Sequence, residues 1–357
     1  HGHVGQGVEQ QAHLVDAPEE GGREWQEDGV EIAYVGLSGG VLGVSHRLVR
    51  EALAIRPDVI HCFKPKAYSG IAAWMLWYLH RYPNLITDTD DWEGWGGWND
   101  LAPYSTAQKY FFAWQEQWGM GHCRRLTVAS RELEKMAAEA GIPAERIVYV
   151  PNGSGLRAGN VLTQRREGAK KRERPTVLLY SRLFEFDVGR LVDVLGRVKA
   201  AVPEMRVLSV GAGLYEADAA DFRQRLEAAG LLARVEDVGW VEEEQLPDLL
   251  QSADVGIYLM EDTLLNRTKC PVKLADLVML GVPVVGEAVG QVREYIDHGR
   301  TGFLRPSGDN AGIAADLVRL LQDEGLRKRF GEAAAVHYGE RFAWGMAAMQ
   351  LEQVYRI

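Results

Sequence analysis

The chain has 357 residues, a formal net charge of −10 at pH 7 and 46% hydrophobic residues. This length exceeds what one hydrophobic core usually supports, so two domains are expected. The composition is that of an ordinary soluble globular protein. The acidic balance argues against nucleic acid as the main partner, because it repels a polyanion on average.

The three cysteines, Cys62, Cys123 and Cys270, are an odd number without paired spacing. They resemble neither a disulfide framework nor a zinc knuckle, so a reducing, cytoplasmic compartment is predicted. The longest apolar run, residues 71–79, is too short to span a membrane. Peripheral contact with the inner membrane face stays open, and the oligomeric state is not predicted.

In the first half of the chain, apolar runs alternate with amphipathic stretches, which is typical of βα units. A first Rossmann-like domain is therefore expected over residues 1–155. Strands are predicted at 30–35, 59–62, 85–87, 126–129 and 147–150, and helices at 45–55, 67–82, 106–123 and 131–140.

The stretch 156–174 loses this periodicity and collects basic residues, which indicates a linker. The alternation of apolar and amphipathic stretches then restarts, which predicts a second Rossmann-like domain over 175–335 and a final helix at 336–357 that could pack back on the first domain. Parallel sheets bind ligands beyond the carboxyl ends of their strands, so the site is expected between the two domains. Strands are predicted at 177–180, 206–210, 235–238, 255–258 and 282–285, and helices at 188–201, 217–229, 243–252, 272–280, 310–323, 325–342 and 343–355.

The segment 253–285 holds the most informative polar residues. A buried strand leads into a polar loop, and Pro271 stands where a first helical residue would. The free amides and positive end of that helix would suit a diphosphate, and Asp276, one turn on, could accept the hydroxyls of a ribose. An ordinary solvated helix start is the alternative. The residues of this candidate site are Arg267, Thr268, Lys269, Cys270, Pro271, Val272, Lys273 and Asp276.

An ordered set of motifs in this chain resembles the family-four glycosyltransferases of GT-B fold. The resemblance implies an α/β protein with two Rossmann-like domains facing each other across a cleft, the first on the acceptor side and the second binding the nucleotide sugar. It also implies that a sugar passes from a nucleotide-diphosphate sugar, UDP- or GDP-linked, to an acceptor hydroxyl with retention of configuration, without a cofactor or metal. The motifs are Pro151-Asn152-Gly153, Tyr180-Ser181-Arg182-Leu183, Val210-Gly211-Ala212-Gly213, Gly239-Trp240-Val241, Ala253-Asp254-Val255 and Gly281-Val282-Pro283-Val284-Val285, with Glu294 and Gly302 after them.

The resemblance assigns roles only where residues match. It implies that Arg182 binds the donor phosphates and stabilises the leaving nucleotide; the alternative for Arg182 is a structural salt bridge. Further phosphate neutralisation would have to come from Lys269, Lys273 or Arg267, which is an inference from the segment and not a family match. Asp276 matches the second of two family glutamates, the one that binds ribose. Thr268 replaces the first glutamate, and Asp187 replaces a family lysine. The other implied donor residues are Gly211, Gly213, Gly239, Trp240 and Val241.

In the first domain, His61 resembles a family histidine at a strand end, although a lone histidine there is more often structural. The next strand lacks the family's histidine and continues into Asp90 and Asp91. Such carboxylates could contact a sugar or acceptor or act as a base, or they could cap a turn. Gly5 and Gly7 resemble the family's first loop, where amides approach the substrates; a frayed terminus is the alternative.

Trp92 and Trp95 lie in a glycine-rich loop. Their rings could stack on a sugar or anchor at a membrane interface, and both interpretations favour the acceptor side. A carbohydrate, a lipid-linked molecule and a small molecule all stay open as acceptors. The alternative is an aromatic core, which suits the nearby helix better than the glycine-spaced tryptophans.

Two other functions stay open. One is a nucleotide-sugar epimerase or hydrolase of the same fold, and the other is a non-catalytic nucleotide-sugar-binding protein. A nicotinamide-dependent oxidoreductase is disfavoured, because no G-x-G-x-x-G stretch opens a helix with an acid about 20 residues on.

Overall fold

The computed structural model describes residues 24–27, 30–156, 173–213 and 216–356. The described residues form two compact units: one contains the residues up to Pro151 together with those from Met349 onward, and the other runs from Asn152 to Ala348. Most of the predicted linker lies outside the described residues, as do Gly5 and Gly7.

The first unit contains a four-stranded parallel sheet with the order β3-β4-β5-β6 and a separate antiparallel pair, β1 and β2. Its strands are β1 Glu24–Glu27, β2 Val30–Ala33, β3 Ile60–Phe63, β4 Leu85–Thr89, β5 Arg125–Val128 and β6 Ile147–Tyr149. Its helices are α1 Gly40–Ala54, α2 Ala67–Tyr78, α3 Trp98–Leu101, α4 Thr106–Gly121 and α5 Arg131–Glu139, followed by a 3-10 turn at Ala144–Arg146.

The strand predicted at 30–35 is a hairpin strand and not a member of the parallel sheet. Glu24 pairs with Ala33 and Glu27 pairs with Val30, so β1 and β2 run in opposite directions. Two residues separate these strands in the sequence. A link that short joins antiparallel strands, whereas a parallel crossover needs a dozen or more residues.

The second unit contains a six-stranded parallel sheet with the order β12-β11-β10-β7-β8-β9. Its strands are β7 Thr176–Tyr180, β8 Arg206–Val210, β9 Val235–Asp237, β10 Val255–Tyr258, β11 Val284–Glu287 and β12 Gly302–Arg305. Its helices are α6 Val188–Ala201, α7 Glu216–Ala228, α8 Leu246–Gln251, α9 Leu264–Thr268, α10 Val272–Met279, α11 Val292–Tyr295, α12 Asn310–Gln322 and α13 Glu324–Arg341, with a 3-10 turn at Leu232–Arg234. Helix α14, Trp344–Tyr355, begins in this unit and ends in the first.

The core of the second unit follows from its apolar strands. β7 is buried along its whole length, which is what a strand covered on both faces requires. Leu179 of β7 belongs to one core cluster with Leu191 of α6 and Leu317 of α12. Asp187 immediately precedes helix α6, and its carboxylate accepts a hydrogen bond from the Arg190 amide at 3.2 Å. An aspartate is a preferred residue at that position, so the residue that replaces the family lysine caps a helix here.

Two details of the candidate donor segment differ from the prediction. The polar loop before Pro271 contains the short helix α9, which begins after Thr263, whose hydroxyl accepts from the Asn266 amide at 3.2 Å. Pro271 itself has extended backbone and precedes helix α10, which starts at Val272. A threonine that can accept an amide hydrogen bond is a normal helix start, and this local signal was missed.

Candidate functional site

Two glycines lie where β8 and β9 end in the second unit. The Gly211 amide donates to the Gly239 carbonyl at 2.8 Å, and both residues have positive φ angles, 67° and 63°. Glycine adopts this backbone without steric cost, so both loops can turn sharply beside the sheet edge. Trp240, which follows Gly239, is 67% exposed.

Lys273 of α10 reaches this edge. Its Nζ lies 3.7 Å from the centroid of the Tyr180 ring, and a Cβ added to Gly211 would lie 3.2 Å from that Nζ. Burial lowers the pKa of Lys273 to about 8, and the charge of Arg182 acts in the same direction. The charges of Asp276 and Glu185 offset part of this lowering, and a bound anion would offset it further.

Asp276 is buried on the same helix and accepts three hydrogen bonds. Ser154 Oγ donates at 2.6 Å and the Gly155 amide at 3.0 Å to Oδ1, and the Tyr180 hydroxyl donates at 3.4 Å to Oδ2. Burial raises the pKa of Asp276 to about 6, although these bonds and Lys273 oppose the rise. A carboxylate has about four acceptor sites, so roughly one is left for a ribose hydroxyl.

The other cations of the predicted donor loop are engaged close by. Lys269 is buried, with Nζ 3.6 Å from Glu185 Oε1 and 3.8 Å from the centroid of the Phe184 ring. Arg267 Nε lies 2.5 Å from Asp262 Oδ1 in an exposed pair. Lys273, in turn, lies close enough to Arg182 for the two charges to interact.

Thr268, at the position of the family's first glutamate, is buried. Its hydroxyl donates to the Leu265 carbonyl at 2.9 Å, which satisfies the end of α9. The side chain therefore serves the short helix, and its hydroxyl carries no charge toward a donor.

Hydrogen bonds from Asn152, in the motif Pro151-Asn152-Gly153, join the start of the second unit to the segment just before α10. The Asn152 amide donates to Cys270 Sγ at 3.2 Å, and the Asn152 side chain donates to the Cys270 carbonyl at 3.1 Å. The Tyr295 hydroxyl donates to the Asn152 carbonyl at 2.6 Å. A Cβ on Gly155 would lie 3.5 Å from Val272 Cγ1. Cys270 and Val272 thus position this segment, which in turn supplies Ser154 to Asp276.

His61 lies in a hydrogen-bonded chain of the first unit. Its Nδ1 is 2.9 Å from the Tyr355 hydroxyl and its Nε2 is 3.1 Å from Thr127 Oγ1, which itself donates to Asp88. Burial lowers the pKa of His61 to about 4, so the ring is neutral at pH 7. Burial raises the pKa of Asp88 to about 7. Both ring nitrogens are used inside the unit, as the structural interpretation of a lone histidine requires.

Asp90 and Asp91 face a lysine that sequence reasoning missed. Lys64 Nζ lies 3.4 Å from Asp90 Oδ1 and 3.8 Å from Asp91 Oδ2, and Lys66 Nζ lies 2.6 Å from Glu93 Oε2. Burial alone would lower the pKa of Lys64, but Asp90 and Asp91 raise it more. The available signal was the Lys64-Pro65-Lys66 sequence directly after β3, because side chains at neighbouring strand ends meet at one sheet edge.

The glycine-rich loop packs around Trp92. This ring is 7% exposed, and its indole N–H donates to the Trp95 carbonyl at 2.8 Å. A Cβ on Gly94 or Gly97 would lie 2.3 or 2.1 Å from atoms of Trp92. The glycines are therefore needed for packing, and Trp92 presents no face to a sugar. Trp95 is 42% exposed and remains accessible.

Within the described ranges of the chain, no group of three or more His, Cys, Asp or Glu side chains is arranged to hold a metal ion. None of the described helices combines the length and the apolar character needed to cross a bilayer.

Comparison with known proteins gives consistent relationships for both units. Two family models match the chain. The model described as "Glycosyl transferase 4-like domain" matches residues 2–153, and the model described as "Glycosyl transferases group 1" matches residues 174–323. A phosphatidyl-myo-inositol mannosyltransferase of Mycobacterium leprae is 30% identical over 182 residues, which is 50% of this chain and 46% of that protein. The chain thus spans less than half of that relative.

Solved structures resemble the whole fold. Sucrose-phosphate synthase from Thermosynechococcus elongatus superposes with a TM-score of 0.66 at 19% identity, covering 96% of this chain and 86% of that one. HepE from Anabaena, solved with UDP and glucose, gives 0.65 at 18% identity, covering 88% and 82%.

Two Rossmann-like units, each built on a parallel sheet, define the GT-B class of α/β proteins, as predicted. The chain belongs to the family-four glycosyltransferases.

Proposed function

We propose that this protein transfers a sugar from a nucleotide-diphosphate sugar to an acceptor hydroxyl, with retention of configuration. The observation that carries the proposal is the position of Lys273, which reaches Gly211 and Tyr180 at the carboxyl edge of the second sheet and feels the charge of Arg182. Loss of the sugar leaves a nucleotide diphosphate with added negative charge. Preorganised cations that face such a leaving group supply a large part of catalysis.

The remaining donor contacts are assigned by position. Asp276 lies one turn beyond Lys273 and keeps roughly one acceptor site for a ribose hydroxyl. The backbone of Gly239, Trp240 and Val241 follows β9 and would line the base. Lys269 is held in the donor loop by Glu185, which offsets part of its positive charge.

UDP is the first nucleotide to test for identifying the nucleobase of the sugar donor. HepE has been solved with UDP-glucose, and its fold is similar to that of this chain. A GDP sugar remains the alternative, because no side chain assigned here distinguishes the two bases. The acceptor contacts are proposed to come from Asp90 and Asp91 at the edge of the first sheet, with Trp95 nearby in sequence.

A ligand screen followed by product analysis tests the proposal. Thermal unfolding is measured with UDP, GDP, ADP and dTDP and their sugars, since a ligand that binds the folded state raises the melting temperature. We expect stabilisation by one nucleotide, and loss of that stabilisation in Arg182→Ala.

Incubation with the donor alone then separates transfer from the two alternatives. Consumption of the donor without an acceptor would favour an epimerase or hydrolase. Tight donor binding without turnover across many acceptors would favour a non-catalytic binding protein.

A further inference from the structure

Aromatic rings of α2 and α4 form a continuous row on the first unit, here called the ring ladder. It consists of Trp74, Tyr78, Trp118, Trp114 and Phe111. Successive ring centroids are 5.4, 5.9, 6.1 and 5.8 Å apart. Such spacing is typical of interacting aromatic pairs, so the rings support one another as a single surface.

Most of the ring ladder is exposed. Trp74 is 36%, Tyr78 48%, Phe111 39% and Trp114 47% exposed, whereas Trp118 is buried beneath them. Two neighbours in sequence enlarge the surface, namely Leu79 at 60% and Tyr110 at 65%. Large contiguous aromatic surfaces mark interaction sites more often than ordinary solvent-exposed faces.

The polar groups of these rings are available to a partner outside the chain. Within the described part of the chain, the indole N–H groups of Trp74 and Trp114 and the hydroxyls of Tyr78 and Tyr110 make no hydrogen bond. An apolar ring with a free polar tip suits an environment that is apolar on one side and wet on the other. The interface of a lipid bilayer has this character.

The charges of the two helices are unusual for a protein with a net charge of −10. Helix α2 has no charged side chain, and α4 has only Lys109 and the fully buried Glu116. The exposed faces of both helices therefore lack acidic groups.

Cations gather where the two helices end. The His122 ring stacks on Trp118 at 4.6 Å and lies 6.1 Å from Tyr78, which joins the two helix ends. The exposed residues Arg81 and Arg124 each lie three positions after the last residue of their helix.

We propose that the ring ladder docks on an anionic lipid bilayer, with the rings in the interfacial layer and Arg81 and Arg124 against lipid phosphates. The charges favour this partner over a second copy of the chain. Two copies that met through this face would bring no exposed acidic side chain of α2 or α4 to the arginines, whereas anionic headgroups complement them. The proposal does not depend on the identity of the sugar donor.

Vesicle flotation tests the proposal. Vesicles of phosphatidylcholine alone are compared with vesicles containing roughly one third phosphatidylglycerol, at low salt and at about 0.5 M salt. We expect the full chain to bind the anionic vesicles at low salt, at least about tenfold more tightly than neutral ones, because each cation near an anionic surface contributes about 1 kcal/mol.

Two variants separate the rings from the charges. Tyr110→Ser combined with Trp114→Ser should lower binding to both kinds of vesicle, and Arg81→Glu combined with Arg124→Glu should remove the preference for anionic ones. The matched control is Leu232→Ser with Val336→Ser, two exposed apolar residues of the second unit, which should bind as wild type does.

Three results would overturn the proposal: no preference of the wild type for anionic vesicles, equal loss of binding in the matched control, or a dimer in light scattering that the Tyr110 and Trp114 variant dissolves while vesicles bind nothing. The melting temperature of every variant is measured without a ligand, and then with each nucleotide. A melting temperature close to that of the wild type shows a folded protein whether or not a nucleotide binds, which separates failure of this proposal from failure of the proposed function.

Discussion

Ser154 Oγ donates a hydrogen bond of 2.6 Å to Asp276 Oδ1, across 122 positions of sequence. The Gly155 amide donates to the same oxygen at 3.0 Å. Both bonds favour the ionised carboxylate, yet burial still raises the pKa of Asp276 to about 6. Ionising Asp276 at neutral pH therefore costs stability, which is a measurable property of the candidate site.

Asp276→Asn should flatten part of the dependence of stability on pH. The folded pKa of about 6 lies above the ordinary value of 3.8, so the stability contributed by the protonated carboxyl is complete below pH 3.8 and is lost as the pH rises through 6. The loss amounts to up to about 3 kcal/mol. Urea unfolding of wild type and variant at a series of pH values gives the difference between their free energies of unfolding. This difference should change with pH mainly between the two pKa values.

Ser154→Ala is the complementary variant. It removes one donor from the carboxylate, so the pKa of Asp276 should rise further and the sloping window should extend to higher pH. A difference curve for Ser154→Ala that shifts to lower pH would contradict the assigned hydrogen bond.

Much of the second unit could be predicted from sequence. Strand β8 and strand β10 were predicted at their observed bounds, and so was helix α6. Buried parallel strands are short apolar runs, and a capped amphipathic helix has a clear period, so both signals are local. The Ser154 to Asp276 contact has no local signal, because it depends on how two distant segments pack.

The first unit shows more clearly which features could not be predicted from the sequence. The sequence interpretation of Trp92 and Trp95, as rings that could stack on a sugar or anchor at a membrane interface, did not include the packing of the loop, in which a Cβ on Gly94 or Gly97 would collide with Trp92. A sequence reports that glycine is present without reporting what approaches it. Lys64 was missed for a similar reason, since its partners Asp90 and Asp91 follow a different strand.

Deprotonation of Lys273 should cause the fall of activity at alkaline pH, which is the alkaline limb of the pH–rate profile. Its pKa of about 8 means that the free enzyme loses this charge as the pH rises through 8, so kcat/KM for the donor should fall there. Lys273→Arg should move the limb to higher pH, because a guanidinium stays protonated. Lys273→Met should lower kcat/KM by on the order of 10²-fold and abolish the limb. An unchanged limb in Lys273→Arg would assign it to another group.

Arg182→Ala should reduce turnover by on the order of 10²-fold or more, as loss of one preorganised charge contact typically does. The matched control is Arg197→Ala, an exposed arginine on α6 that pairs with Asp193 at 3.0 Å. We expect the control to keep wild-type rates, because an exposed ion pair contributes little to the stability of the fold. Initial rates of sugar transfer and of donor hydrolysis are measured for both variants. Equal activity of Arg182→Ala and wild type in both assays would refute the phosphate assignment.

Lys64→Met should destabilise the first unit in a pH-dependent way. Lys64 lies 3.4 Å from Asp90 and 3.8 Å from Asp91, so its removal leaves two partly buried carboxylates without this cation. Burial already raises the pKa of Asp90, and loss of Lys64 should raise it further. The stability of the variant should therefore fall as the pH rises and recover in acid, where the carboxylates are protonated.

The expected loss at neutral pH is about 1 kcal/mol, because Lys64 is 37% exposed and solvent screens the pair. Lys64→Arg should restore most of it. Lys135→Met is the matched control, since Lys135 is 60% exposed and lies 3.6 Å from Glu132; its stability should change by less than about 0.5 kcal/mol. Hydrogen exchange of β4 amides at two pH values measures the effect locally. Greater destabilisation of Lys64→Met in acid than at neutral pH would mean that Lys64 does not hold these carboxylates.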